Sequence, residues 1–137
     1  MKRPEIKTLQ NLEAAFAGES MAHIKYRYFA KIARAAGDEA TARVFEETAE
    51  QEVAHAFGHL DLLYPTAGMT PAKCLEVAIA GETYEYTEMY PTFRKTAEAE
   101  GHGAAVREID EQIAESKEHA EAFKATLEKA AKRFAAL

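Results

Sequence analysis

Two stretches of this chain repeat each other at long range. FAKIARAAG (29–37) aligns with FRKTAEAEG (93–101), and in each copy a histidine follows the glycine by 18 residues, His55 after Gly37 and His119 after Gly101. The intervening sequence is rich in Ala, Glu, Lys and Leu and shows no strand-like alternation, so the repeated unit is a helix hairpin. Glycine and proline punctuate at Gly37, at YPTAGMTP (64–71) and at the pair Gly101 and Gly103. Four helices follow, at about 5–36, 38–64, 71–100 and 103–135. Gly37 suits a C-terminal cap with Asp38 as the next N-cap, and Thr70 suits an N-cap with Pro71 at the first helical position. The expected architecture is an all-α four-helix bundle, one domain over residues 1–137, made of two repeated hairpins.

Composition narrows the function classes. A chain that is 47% hydrophobic and 29% charged suits a soluble globular domain with one core, and a net charge of −6 argues against nucleic acid as a partner. No run of 18 apolar residues exists and the start MKRPEIKTLQ has no apolar stretch, so no membrane is expected and cytoplasm is the default location. The single cysteine, Cys74, excludes an internal disulfide or a four-cysteine metal site in these residues, and reads as a small buried apolar side chain.

The chemistry lies in the inward stripes, taken at alternating three- and four-residue spacing. Helix one presents Leu9, Leu12, Phe16, Glu19, His23, Tyr26, Ala30 and Ala33. Helix two presents Phe45, Thr48, Glu52, His55, His59 and Leu62, and helix three presents Leu75, Ala78, Glu82, Glu85, Met89 and Thr92. Helix four gives Val106, Ile109, Ile113, Ser116, Ala120, Phe123, Leu127 and Phe134, with His119 one position off the seam. Carboxylates therefore fall at mid-height in three apolar seams, with no Lys or Arg among the central positions. An unpaired interior carboxylate costs several kcal/mol or takes up a proton, so a bound cation or a pair of them is the simplest common explanation. Carboxylate oxygen with imidazole nitrogen suits iron, manganese or zinc. His23 and His59 read as hydrogen-bonded interior residues that support the ligands.

With these residues in place, the strings GESMAHIKYRYFA (18–30), EETAEQEVAH (46–55) and AIAGETYEYTEMYPTF (78–93) resemble the rubrerythrin family, in its short erythrin-type form without a rubredoxin domain. The resemblance covers nearly the whole chain. It implies a ferritin-like di-iron bundle, a class defined by glutamates and Glu-x-x-His motifs from four helices. It assigns Glu19 as a terminal ligand, Glu52 as a bridge, Glu82 and Glu85 as helix-three ligands, and His119 as the ligand of the other iron. His55 and Glu85 would exchange one iron as the redox state changes. Tyr26 and Tyr90 match tyrosines that hydrogen-bond ligating carboxylates, and read equally well as core aromatics.

Ser116 departs from the pattern, because the family places its second bridging glutamate there. Four carboxylates remain, Glu19, Glu52, Glu82 and Glu85, which balance two divalent ions. A solvent-filled gap at Ser116 is expected; Glu115 is adjacent but about 100° around the helix and could replace the bridge only with local rewinding.

The resemblance also bears on assembly, since ferritin-like helices two and three run parallel and the connection must travel back along the bundle. With ligands at one level, the link must cover roughly 28 Å lengthwise and ~10 Å sideways, whereas eight extended steps reach about 29 Å. A homodimer with swapped helices is expected. The implied function is a non-haem di-iron peroxidase holding two iron ions and reducing hydrogen peroxide with electrons from an external donor such as rubredoxin or a reductase. Ferritin-like metal storage, or a structural bundle with an altered metal site, is the alternative.

Overall fold

The computed structural model describes residues 7–135, with side chains through Lys132. The expected start of helix one at residue 5 and the side chain of the seam residue Phe134 lie outside what is described. The described backbone is helical, with no strand, and no described helix is long and apolar enough to cross a membrane. The chain divides into two compact units, Met1–Gly68 and Met69–Leu137, one for each repeat.

The first unit pairs α1 (Thr8–Ala35) with α2 (Glu39–Leu63). Its turn is built as the sequence suggests. Gly37 takes a left-handed φ of 83°, Asp38 N–H donates to Ala33 O at 2.9 Å, and the Asp38 carboxylate accepts from Thr41 N–H at 3.0 Å. The two helices meet through small residues: α2 buries Ala42, Ala49 and Ala56, and α1 buries Ala30. His23 Nδ1 crosses from α1 to the Ala49 carbonyl at 2.8 Å, and Phe45 stacks against Tyr26 and Phe29. Ala30 was among the expected inward residues of helix one; the α2 alanines were not among the expected stripes, although their seven-residue spacing is visible in the sequence.

After a 3₁₀ turn at Thr66–Gly68, the second unit contains α3 (Pro71–Tyr84), a π turn (Glu85–Met89), α4 (Tyr90–Ala99) and α5 (Gly103–Ala135). The segments α3, π turn and α4 all pack on α5. Thr70 caps α3 by accepting from Lys73 N–H at 3.1 Å, with Pro71 opening the helix. The hairpin turn reproduces the first: Gly101 has φ 71°, His102 N–H donates to Ala97 O at 2.9 Å, and His102 Nδ1 accepts from Ala105 N–H at 3.1 Å in the role of Asp38.

The π turn corrects the expectation of one regular helix over 71–100. Pro91 has no N–H to offer the Thr87 carbonyl and its ring crowds that turn, so an i to i+5 bond from Tyr90 N–H to Glu85 O relieves the strain just before it. The extra residue rotates everything downstream. Thr92, expected on the inward seam, is exposed, while Tyr90 is half-buried and Ala97 buried. Cys74 is also exposed and not buried as expected, because it lies on the outer side of the first turns of α3.

No large side chain is fully buried among the described residues; the fully interior positions are alanines and Ser116. On the first hairpin the apolar residues Met21, Ile24, Tyr28 and Ile32 of α1, and Val53 and Phe57 of α2, remain exposed. Ile24, Val53 and Phe57 join Phe16, Ala56 and Leu60 along a shallow groove.

Candidate metal centre

In the first hairpin, Glu19 from α1 and Glu52 and His55 from α2 converge. One ligand atom from each lies within 4.8 Å of the others. His55 Nδ1 is 3.6 Å from both Glu19 Oε1 and Glu52 Oε1. Two donors about 2.1 Å from one ion stand roughly 3.0–3.4 Å apart, so this spacing fits a cation after a small closure. The carboxylates sit deeper than the imidazole: the Glu52 side chain is 16% exposed and His55 56%. The α2 residues are together because three-residue spacing places Glu52 and His55 one above the other on one face.

Glu19 makes a second approach. Its Oε2 lies 2.6 Å from His59 Nε2, one further turn along α2. That oxygen is buried and has no hydrogen-bond partner. The same is true of Glu82 Oε2 in the second hairpin. Buried carboxylate oxygens lacking a hydrogen-bond donor are costly in a folded protein. Each hairpin thus carries one such oxygen, on a glutamate beside an imidazole.

In the second hairpin, His119 Nδ1 on α5 is 3.4 Å from Glu82 Oε1 on α3. Glu85, on the π turn, instead accepts a hydrogen bond from Ser116 Oγ at 3.3 Å. Ser116 is 4% exposed, and its hydroxyl is engaged by this carboxylate. Glu115 is exposed and faces away from that seam. Neither expected tyrosine hydroxyl hydrogen-bonds a carboxylate among the described residues; Tyr26 packs on Phe45 and Tyr90 on Phe93. Burial, then the charges of Glu85, Glu82 and Glu108, raise the Tyr90 pKa above the usual phenol range. The Tyr90 phenol is accordingly a protonated group beside acidic residues at neutral pH.

The rubrerythrin family model matches residues 10–127. The chain belongs to the rubrerythrin family. A rubrerythrin of Porphyromonas gingivalis is 45% identical over 106 residues, covering 69% of this chain and 53% of that protein. Nigerythrin of Nitratidesulfovibrio vulgaris is 38% identical over 128 residues, covering 85% of this chain and 63% of that protein. A structure of nigerythrin in its fully reduced, all-ferrous state aligns over 94% of this chain and 70% of that one, with 35% identity and a TM-score of 0.47. The chain thus spans between half and two thirds of the length of the first two relatives. The all-α hairpin repeat is the helical, ferritin-like fold class of this rubrerythrin family.

Proposed function

We propose that this rubrerythrin-family chain is a di-iron peroxidase, reducing hydrogen peroxide to water with electrons delivered by a separate protein such as rubredoxin or a reductase. The observation that carries the reading is the pair of half-sites, Glu19, Glu52 and His55 on one hairpin and Glu82 with His119 on the other, each with a buried carboxylate oxygen lacking a hydrogen bond. Glu19, Glu52, Glu82 and Glu85 would supply four negative charges, matching two divalent ions. Bound iron would contribute the two electrons that peroxide cleavage consumes, with two protons completing the conversion to two waters.

The chain's own residues set the conditions for that chemistry. Glu52 and Glu19, set deeper than His55, would hold a cation, with the more exposed imidazole as a third donor. His59 Nε2 lies 2.6 Å from the second Glu19 oxygen. Burial, then the charges of Glu85, Glu82 and Glu108, keep the Tyr90 phenol protonated. The single cysteine provides no four-cysteine redox centre within these 137 residues, so electrons reach the site from outside them.

The reading includes a homodimer with exchanged hairpins, supported by the short connection at 64–71 and by the exposed apolar stripe Met21, Ile24, Tyr28 and Ile32. Stopped-flow oxidation of anaerobically iron-loaded protein tests the activity. Peroxide is expected to oxidise the ferrous protein faster than dioxygen does and to sustain turnover with a reductant. Slow dioxygen-driven loading of many irons per chain would support storage instead.

A further inference from the structure

His59 follows His55 by four residues on α2, so the two imidazoles stand one turn apart on the same face of the helix. Glu19 of α1 meets both. Its Oε1 lies 3.6 Å from His55 Nδ1 and its Oε2 lies 2.6 Å from His59 Nε2, so each oxygen of one carboxylate has its own ring. His59 is also the deeper of the two, its side chain 26% exposed against 56% for His55.

The sequence suggests a hydrogen-bonded support in His59, and the contact is of a different kind. Glu19 Oε2 is buried and has no hydrogen-bond partner, although a ring nitrogen lies 2.6 Å away. Among the described residues the ion-pair partners of Glu19 are the two histidines, with no lysine or arginine. A buried carboxylate oxygen with neither a proton donor nor a fixed cation is unfavourable, and a metal ion beside both atoms would satisfy oxygen and nitrogen together. The spacing allows it. At 2.6 Å this pair is a few tenths of an ångström shorter than two donors on one ion, and the His55 pairs at 3.6 Å are a few tenths longer. Glu19, Glu52 and His55 already lie within 4.8 Å of one another, and His59 meets that group through Oε2 of Glu19.

We propose that His59 is a fourth donor of the first-hairpin cation site, so that Glu19, Glu52, His55 and His59 form a two-carboxylate, two-imidazole set carried by α1 and α2 alone. Such a set suits a divalent first-row transition ion, and its two negative charges balance one. The first hairpin then holds a cation without the Glu82 and His119 donors of the second. This deepens the metal-centre reading and rests on it. An imidazole that only supports Glu19 through a hydrogen bond would never have its nitrogen on the metal.

The test uses the full chain with Glu82→Ala and His119→Ala as the parent, so that the second hairpin's paired donors are removed, and adds His59→Ala or His59→Gln. Cobalt(II) titration followed by visible absorption gives the affinity. Copper(II), at less than one equivalent, gives the number of bound rings, because electron spin-echo modulation from the remote ring nitrogen arises only when an imidazole is coordinated. The parent is expected to bind cobalt and to show two coordinated imidazoles, falling to one in His59→Ala. Cobalt affinity should drop about tenfold or more in His59→Ala. A residue that supports a ligand can weaken binding as much, so His59→Gln decides: it keeps a hydrogen-bonding amide without an imidazole, and is expected to behave as His59→Ala. A single coordinated imidazole in the parent, or a His59→Gln variant that binds cobalt as the parent does, overturns the proposal. So does a parent that takes up no cobalt while the wild-type chain does. Wild-type protein that takes up no cobalt overturns the metal-centre reading and this inference with it.

Discussion

Replacing Glu19 with glutamine should stabilise the metal-free protein and destabilise it, relative to wild type, once metal is present. Glu19 Oε2 is buried without a hydrogen bond, and its other oxygen shares His55 with Glu52. Leaving a buried acceptor unsatisfied costs about 1–3 kcal/mol. The Glu19 side chain is 28% exposed, so solvent screens part of the effect and the lower end, ~1 kcal/mol, is the figure to use. For a chain of 137 residues that corresponds to a melting temperature higher by roughly 3–5 °C in the metal-free variant. Cobalt(II) at a hundred times its dissociation constant should stabilise wild type by about 2.7 kcal/mol, and Glu19→Gln, short of one anionic ligand, by much less. The order of stability therefore reverses on adding metal. The assay is thermal unfolding by circular dichroism at one fixed protein concentration and one fixed pH. A metal-free Glu19→Gln protein that melts well below wild type, or equal stabilisation of both by cobalt, would refute the reasoning.

Two further outcomes follow from the helix ends. Thr70→Ala removes the acceptor for Lys73 N–H at the start of α3 and should cost about 1 kcal/mol in chemical denaturation, with Thr70→Ser restoring most of it. Asp38 has its pKa lowered by hydrogen bonds from the Thr41 side chain and then its backbone N–H. Its stabilising effect is thus present above the ordinary aspartate range and lost as the pH falls through the lowered folded value. Melting temperature against pH should show a smaller acid decline in Asp38→Asn than in wild type; parallel curves would contradict that sign.

The features legible in the sequence are those fixed by local chemistry. Gly37 with Asp38 and Thr70 with Pro71 announce helix ends because only particular residues satisfy left-handed backbone or free N–H groups. The hairpin repeat was legible for the same reason, and the two turns share their hydrogen bonds down to His102 acting where Asp38 does. Periodicity also placed Glu19, Glu52 and His55 on facing helices. It failed after Glu85, since a regular 3.6-residue count cannot anticipate an inserted π residue, and Pro91 was the overlooked signal. That error put Thr92 inward and obscured why Tyr90 is desolvated. The stripe of Ala42, Ala49 and Ala56 was missed because small residues give little hydrophobic contrast even when they form the contact face. Ser116 meets a glutamate 31 residues earlier in the chain, on the other side of the hairpin, where no spacing rule reaches, so the Ser116 to Glu85 bond required coordinates.

The most direct measurement of the central claim is the anomalous scattering map of iron-loaded crystals grown without oxygen. The account predicts a peak within coordination distance of Glu19, Glu52 and His55 and a second within reach of Glu82 and His119. Fully loaded crystals with those side chains ordered and no anomalous density beside either group would contradict it.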